Sequence, residues 1–129
     1  MKLVFEYKKF HDRNLPIIPI KLQGPQKFVE TNALVDSGST ISVFSHEVAE
    51  LAGIDYKKHK VVYPLGASGR IKAHLVELNV GVGIHKIKCK ALFSDNLKAK
   101  FNLLGMQGFF DYFKVCFDNK NRLLSLETH

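Results

Sequence analysis

Apolar and polar residues alternate along most of the chain with the period of two expected of strands that bury one face. Over residues 1–10, Leu3, Phe5 and Tyr7 fall on one side and Lys2, Glu6 and Lys8 on the other. His11-Asp12-Arg13-Asn14 breaks this run. Pro16 and Pro19 flank Ile17 and Ile18, so the next strand is expected over 18–22, followed by a Gly-Pro turn at Gln23-Gly24-Pro25-Gln26. A strand over 27–34 returns from that turn, and the resulting hairpin leads straight into Asp36. The period then becomes helical: Ser45 stands at a capping position, Glu47 in the first turn, and Val48, Leu51 and Ala52 supply an apolar face that Gly53 ends.

From Lys60 the period of two resumes. Val61, Val62 and Tyr63 lead to the small-residue tip Pro64-Leu65-Gly66-Ala67-Ser68-Gly69, and a long alternating strand runs out over 71–82. Gly81-Val82-Gly83 turns the chain into another strand over 84–93, and Ser94-Asp95-Asn96 opens a polar loop. The apolar run 101–106 is stopped by Gly105, a short helix is expected over 107–112, and strands at 113–117 and 123–126 close a last hairpin about Asp118-Asn119-Lys120-Asn121. The pattern predicts an all-β fold with one or two short helices. No linker or low-complexity segment interrupts it, so residues 1–129 are expected to form one domain.

Composition narrows the function classes. With 46% hydrophobic and 24% charged residues the chain is globular, and no apolar run approaches the roughly 20 residues a membrane helix needs. Glu6 interrupts the N-terminus before a signal-like stretch can build, so a soluble, cytoplasmic protein without membrane partners is expected. Cys89 and Cys116 lack the CxxC spacing of a zinc or redox site and read as buried free thiols; the scattered histidines likewise lack ligand spacing, so no metal and no cofactor is expected. The net charge of +7 is concentrated at Tyr56-Lys57-Lys58-His59-Lys60 and along 85–90, where lysines alternate with apolar residues as on the wet face of a strand. Both read as solvated surface, and nucleic acid is not expected as a partner.

The stretch Ala33-Leu34-Val35-Asp36-Ser37-Gly38-Ser39-Thr40-Ile41-Ser42-Val43-Phe44 carries the candidate chemistry. It places one carboxylate in a tight turn between two apolar runs, where burial costs several kcal/mol unless hydrogen bonds or a second group compensate. Gly38 gives the turn backbone freedom. Asp-Ser-Gly is equally the sequence of an ordinary turn in which the Asp side chain caps its own backbone amides. A serine hydrolase on Ser37 or Ser39 would need an activating histidine and a nucleophile elbow, and neither is present in a recognisable arrangement.

Taken in order, the hairpin leading into Leu34-Val35-Asp36-Ser37-Gly38-Ser39, the glycine-bearing hairpin some thirty residues later, and Asn102-Leu103-Leu104-Gly105 followed by a short helix resemble the retroviral-type, retropepsin-like aspartic proteases and their cellular and prokaryotic homologues. The resemblance spans nearly the whole chain. It implies a closed acid-protease β-barrel with one half-site per chain. By resemblance, Asp36 matches the catalytic aspartate of the Asp-Ser/Thr-Gly-Ser/Ala signature, Ser37 the hydroxyl that braces the active-site loop across a dimer, and Gly38 the space beside the carboxylate. Ser39 fits the fourth signature position. Tyr63, Leu65, Gly66, Ala67, Ser68 and Gly69 look like a mobile flap over substrate, and Leu103, Leu104 and Gly105 like the element packed beneath the catalytic loop. The helix over 45–52 departs from the short viral enzymes.

The chemistry that the resemblance implies needs two carboxylates about one water. Asp12, Asp55, Asp95, Asp111 and Asp118 lack a following Ser/Thr-Gly and read as caps, turns or surface acids. The expectation is therefore a symmetric homodimer in which two copies of Asp36 meet on the two-fold axis and cut a polypeptide substrate. A catalytically weak module for dimerisation or peptide binding is the alternative. The terminal strands, over 1–10 and 113–126, are expected to contribute edges to the dimer.

Overall fold

A computed structural model describes residues 2–66, 69–95 and 102–129. In chain order the strands are β1 (Lys2–Glu6), β2 (Lys8–Phe10), β3 (Arg13–Leu15), β4 (Ile17–Gln23), β5 (Phe28–Val35) and β6 (Ser42–Phe44). Helix α1 (His46–Ala52) precedes β7 (Lys60–Val62), the short arms β8 (Leu65–Gly66) and β9 (Gly69–Arg70), and the long hairpin of β10 (Ala73–Val82) and β11 (His85–Phe93). The chain ends with β12 (Asn102–Leu104), β13 (Phe113–Asp118) and β14 (Leu123–Thr128).

Six strands close a barrel. Their order is β11-β6-β12-β5-β4-β10, and β10 pairs with β11 to complete the ring; β7 adds to β10 beyond β4. The fold expected from the sequence, a closed β-barrel with short helices, is the one observed. Alternation does the sorting, as a period of two requires: Ile18, Ile20 and Leu22 of β4, Val76, Leu78, Val80 and Val82 of β10, and Ile87, Cys89 and Ala91 of β11 all point into one core. Lys86, Lys88 and Lys90 lie exposed between those of β11, as the alternation predicts. Phe44, Phe93, Phe109 and Phe113 fill the interior, each fully buried.

Several boundaries shift for physical reasons. His11, with a φ of 54°, makes a tight turn that folds β3 back on β2, so the segment 11–14 breaks the first strand by reversing it. Helix α1 is capped as expected, Ser45 Oγ accepting the Val48 N–H at 3.2 Å and Gly53 ending it in the left-handed region at φ 72°. Its buried face is Val48, Ala49 and Ala52, while Leu51 is 57% exposed. The helix expected over 107–112 is shortened, because Gln107 (ψ 123°) and Gly108 (φ 89°) leave helical geometry; a wide turn at Met106–Phe110 carries Phe109 into the core, and Asp111 and Tyr112 are helical.

The terminal strands form a separate three-stranded sheet in the order β1-β14-β13. The last strand is therefore its centre and offers no edge; the free edges belong to β1 and β13. Both thiols are free, but only Cys89 is buried, Cys116 standing exposed on the edge strand β13. Among the described residues no helix is long and apolar enough to cross a membrane, and no group of three His, Cys, Asp or Glu side chains is placed to hold a metal.

Candidate active site

The site begins with two short strands that share no sequence proximity. β5 and β12 run parallel, with Asn102 opposite Ala33, Leu103 opposite Leu34 and Leu104 opposite Val35, and Leu103 is also opposite Val43 of β6. β12 thus lies between the strand that enters the Asp36 turn and the strand that leaves it. Leu104 and Val35 are buried, Leu103 and Leu34 half-buried, so apolar packing fixes the register.

Four hydrogen bonds then fasten the loop 36–42 to the segment 104–107. Asp36 N–H donates to Leu104 O at 3.0 Å, Met106 N–H to Ser39 O at 2.8 Å, and Gln107 N–H to Thr40 O at 2.9 Å. The fourth runs from Gly105 N–H to the buried Ser42 hydroxyl at 3.0 Å. At about 1 kcal/mol net each, these bonds orient a loop that local sequence would leave mobile. Gly105 is required by closeness: a Cβ there would stand 2.6 Å from the carbonyl carbon and oxygen of Ile41 and 2.7 Å from Ser39 O, all backbone atoms that cannot rotate away.

Asp36 itself is half-buried, Ser37 and Gly38 are exposed, and Ser39 is half-buried. The single chain thus leaves the carboxylate partly open to solvent, less enclosed than a turn walled by core suggested. One carboxylate oxygen accepts the Gly38 N–H at 2.9 Å, and Ser39 N–H donates to Asp36 O at 3.2 Å, so the Asp caps its own turn as the simpler reading of Asp-Ser-Gly expected. Among the described residues Oδ2 of Asp36 has no hydrogen-bond partner. Gly38 does not adopt positive φ. Its role is space, because a Cβ would lie 3.2 Å from Asp36 Oδ1. Ser39 is occupied locally, its hydroxyl donating to Ile41 O at 2.6 Å.

The glycine hairpin pairs Leu65 with Arg70 and Gly66 with Gly69, the latter at φ 103°. Arg70 Nη1 donates to Tyr63 O at 2.8 Å, and Ile71 N–H to Pro64 O at 3.2 Å, closing the hairpin at its base. Tyr63 and Leu65 are 58% and 73% exposed. Ala67 and Ser68, expected at the tip, lie outside the described residues, and with them the expectation of a mobile tip.

The family model described as "Aspartyl protease" matches residues 18–107, a span that holds both the Asp36 loop and Leu103-Leu104-Gly105. The chain belongs to the aspartyl protease family. Its fold is similar to the crystal structure of a retropepsin-like aspartic protease from Rickettsia conorii, with a TM-score of 0.76 and 25% identity over 98% of this chain and 89% of that one. No curated protein matches the sequence. Membership of this family agrees with the resemblance carried by the Asp36, glycine-hairpin and Leu-Leu-Gly segments.

Some residues that hold the family's loop in this chain had little signal in the sequence. Ser42 is one. Asn102 is another: buried at the head of β12, it accepts the Ser45 N–H at 2.9 Å and donates to Thr31 Oγ1 at 3.2 Å and Asn32 O at 2.9 Å, tying β12 to β5 and to the start of α1. A polar residue inside an apolar run was the available hint. The larger omission is a polar cluster before the glycine hairpin. The Tyr56 hydroxyl donates to Asp95; His46 meets Tyr56 Oη at 2.8 Å, Asp95 at 3.1 Å and Glu50 at 2.8 Å; Lys57 pairs with Asp95 at 3.1 Å. The Tyr56 hydroxyl and then Lys57 hold Asp95 below the usual carboxylate range, and burial followed by the Asp95 bond pushes Tyr56 up. His46, at the start of α1, is half-buried within this cluster.

Proposed function

We propose that the chain is an aspartic endopeptidase, a single domain over 1–129 that acts as a symmetric homodimer and hydrolyses peptide bonds through a water activated by paired Asp36 carboxylates. The observation that carries this reading is a half-exposed Asp36 carboxylate held in place by its neighbours, in a chain of the aspartyl protease family that offers one Asp-Ser-Gly. Asp36 is anchored through its backbone to Leu104 and through one oxygen to Gly38, while its second oxygen has no partner among the described residues. Two such groups facing each other supply the base and the acid that amide hydrolysis needs. One carboxylate takes a proton as the water oxygen bonds to the carbonyl carbon, and the other donates to the carbonyl oxygen. The C–N bond then breaks as the first carboxyl protonates the leaving nitrogen and the second carboxylate takes a proton from the gem-diol, which leaves the product acid and a dyad again holding one proton.

In this reading the exposed Ser37 hydroxyl braces the partner's loop, Gly38 keeps space beside the carboxylate, and Ser39 stiffens the turn. Leu103, Leu104 and Gly105 support the loop from below. The hairpin bearing Tyr63, Leu65, Gly66, Ala67, Ser68 and Gly69 is the flap, closing over an extended polypeptide whose backbone pairs with strand edges.

The experiment is incubation of the wild type and Asp36→Asn with a random peptide library across pH, with light scattering on both. Cleavage by the wild type at about pH 4 to 6, lost in Asp36→Asn while the dimer mass persists, is expected. A wild type that stays monomeric at micromolar concentration, or that dimerises without cutting any peptide, overturns the reading; the second outcome leaves a peptide-binding or dimerising module.

A further inference from the structure

Two hairpin ends of the barrel converge on one groove. Residues 24–27 join β4 to β5 and residues 83–84 join β10 to β11, and just inside those ends the row Glu30, Lys21, Gly81, Lys86 crosses all four strands. Gly81 has no side chain to fill the row. A groove of about 250 Å³ opens there, and Lys21, Phe28, Ile84 and Lys86 line it. Phe28 is 55% exposed and Ile84 76%, the highest exposure of any large apolar side chain among the described residues. Turn chemistry does not ask for this isoleucine. Gly83, at φ 59°, supplies the positive φ of a two-residue turn, and the next position is ordinarily Asn, Asp or Ser. A Cβ on Gly83 would stand 3.1 Å from Leu3 Cδ1, so the turn is pressed against β1 and presents Ile84 outward.

Positive charge surrounds these two side chains. Lys21 Nζ lies 5.2 Å from the centre of the Phe28 ring, Lys27 immediately precedes Phe28, and Lys86 follows two residues after Ile84. Glu30 answers Lys21 at 3.9 Å, but among the described residues Lys27 and Lys86 form no ion pair. Leu51 and Phe117 are also exposed, yet acids accompany them instead: Leu51 shares its helix with Glu47 and Glu50, and Phe117 precedes Asp118. Only an apolar patch rimmed by cations suits an anionic partner with an apolar interior.

We propose that this end of the barrel docks on an anionic lipid surface. Phe28 and Ile84 enter the boundary between headgroups and acyl chains, and Lys21, Lys27 and Lys86 reach the lipid phosphates and carboxylates around them. Lysine stems cover apolar surface while their ammonium groups stay with the headgroups. Two side chains that stand outward fill a soft apolar layer without a preformed cavity in the partner. Three lysines and two apolar groups give weak, reversible attachment. This departs from the expectation of no membrane partner, which rested on the lack of a spanning segment; surface attachment needs none.

The test is co-sedimentation of the full chain with phosphatidylcholine vesicles, with and without about one-third phosphatidylserine, at low and high salt. At low salt, binding about tenfold tighter to the phosphatidylserine vesicles is expected, and that advantage should fall severalfold at high salt. Ile84→Asn keeps a favourable turn sequence and is expected to bind about tenfold more weakly with an unchanged melting curve. Lys27→Gln combined with Lys86→Gln should remove most of the preference for phosphatidylserine. Leu51→Asn, which changes an exposed apolar side chain on α1, should bind as the wild type does. The chain has no tryptophan, so Ile84→Trp adds a single reporter whose emission should move to shorter wavelength on phosphatidylserine vesicles. Equal binding to the two vesicle types, an Ile84→Trp emission that stays put, or the same loss in Leu51→Asn as in Ile84→Asn overturns the inference. Tighter binding of a single-stranded oligonucleotide than of the vesicles, undiminished in Ile84→Asn, overturns the choice of lipid.

Discussion

The backbone N–H of Asp36 donates to the carbonyl of Leu104 at 3.0 Å, so the candidate catalytic residue is aimed by a strand from the far end of the chain. The carboxylate itself is held by the Gly38 N–H, which donates to Oδ1 at 2.9 Å. Ser39 and Thr40 continue the attachment through Met106 and Gln107, and the loop and its support behave as one unit.

Gly105→Ala tests that unit. The added methyl would collide with backbone at Ile41 and Ser39, which must move apart at a cost of about 3 kcal/mol. A clear drop in melting temperature is expected, together with loss of peptide cleavage at temperatures where the variant is still folded. An unchanged melting curve would refute the close approach.

Peptide cleavage should follow a bell-shaped pH profile with its maximum acid of neutral. Paired aspartates are the standard example of adjacent like charges that share one proton, and the active form carries one proton per pair. A rate still climbing above about pH 8 would exclude this mechanism.

The polar cluster before the glycine hairpin gives an acid-side test. Asp95 titrates below its ordinary value of 3.8, chiefly through the Tyr56 hydroxyl, so the ionised form favours the folded state. Its contribution is present above that ordinary value and is lost as pH falls through the lower folded value. Tyr56→Phe should lower stability at neutral pH and show a smaller further loss of stability below pH 4 than the wild type. Denaturant melts at pH 3 and pH 6 on both proteins measure this; parallel losses would count against it.

The two thiols should separate cleanly. Burial pushes Cys89 up to about 12 from an ordinary 9.0, while Cys116 is exposed. One thiol per chain is expected to react with an aromatic disulfide reagent under native conditions and two after unfolding. Because the Cys89 value is raised on folding, its contribution to stability is complete below pH 9 and declines between pH 9 and about 12. Cys89→Ala, though less stable, should show a shallower decline over that range; an equal slope would argue that Cys89 does not titrate there.

Sequence by itself determined what depends on near neighbours. Alternation placed most strands to within a residue or two, and Ser45 and Gly53 marked both ends of α1, because capping and side-chain period act over a few residues. It also placed Asp36 in a turn between apolar strands, and the order of three motifs pointed to the family. Local signals were less exact where the backbone answered to distant atoms: Gln107 and Gly108, the latter at φ 89°, leave the helix expected over 107–112, and of the terminal strands β14 is a sheet centre while β1 and β13 keep free edges. Tertiary structure alone decided that β12 would slot between β5 and β6, that Ser42 would meet Gly105, and that Tyr56, His46 and Asp95 would converge. Parallel pairing across such sequence separation leaves no local signature, since its stability comes from burying Leu104, Val35 and Phe44 together in a barrel that must first close.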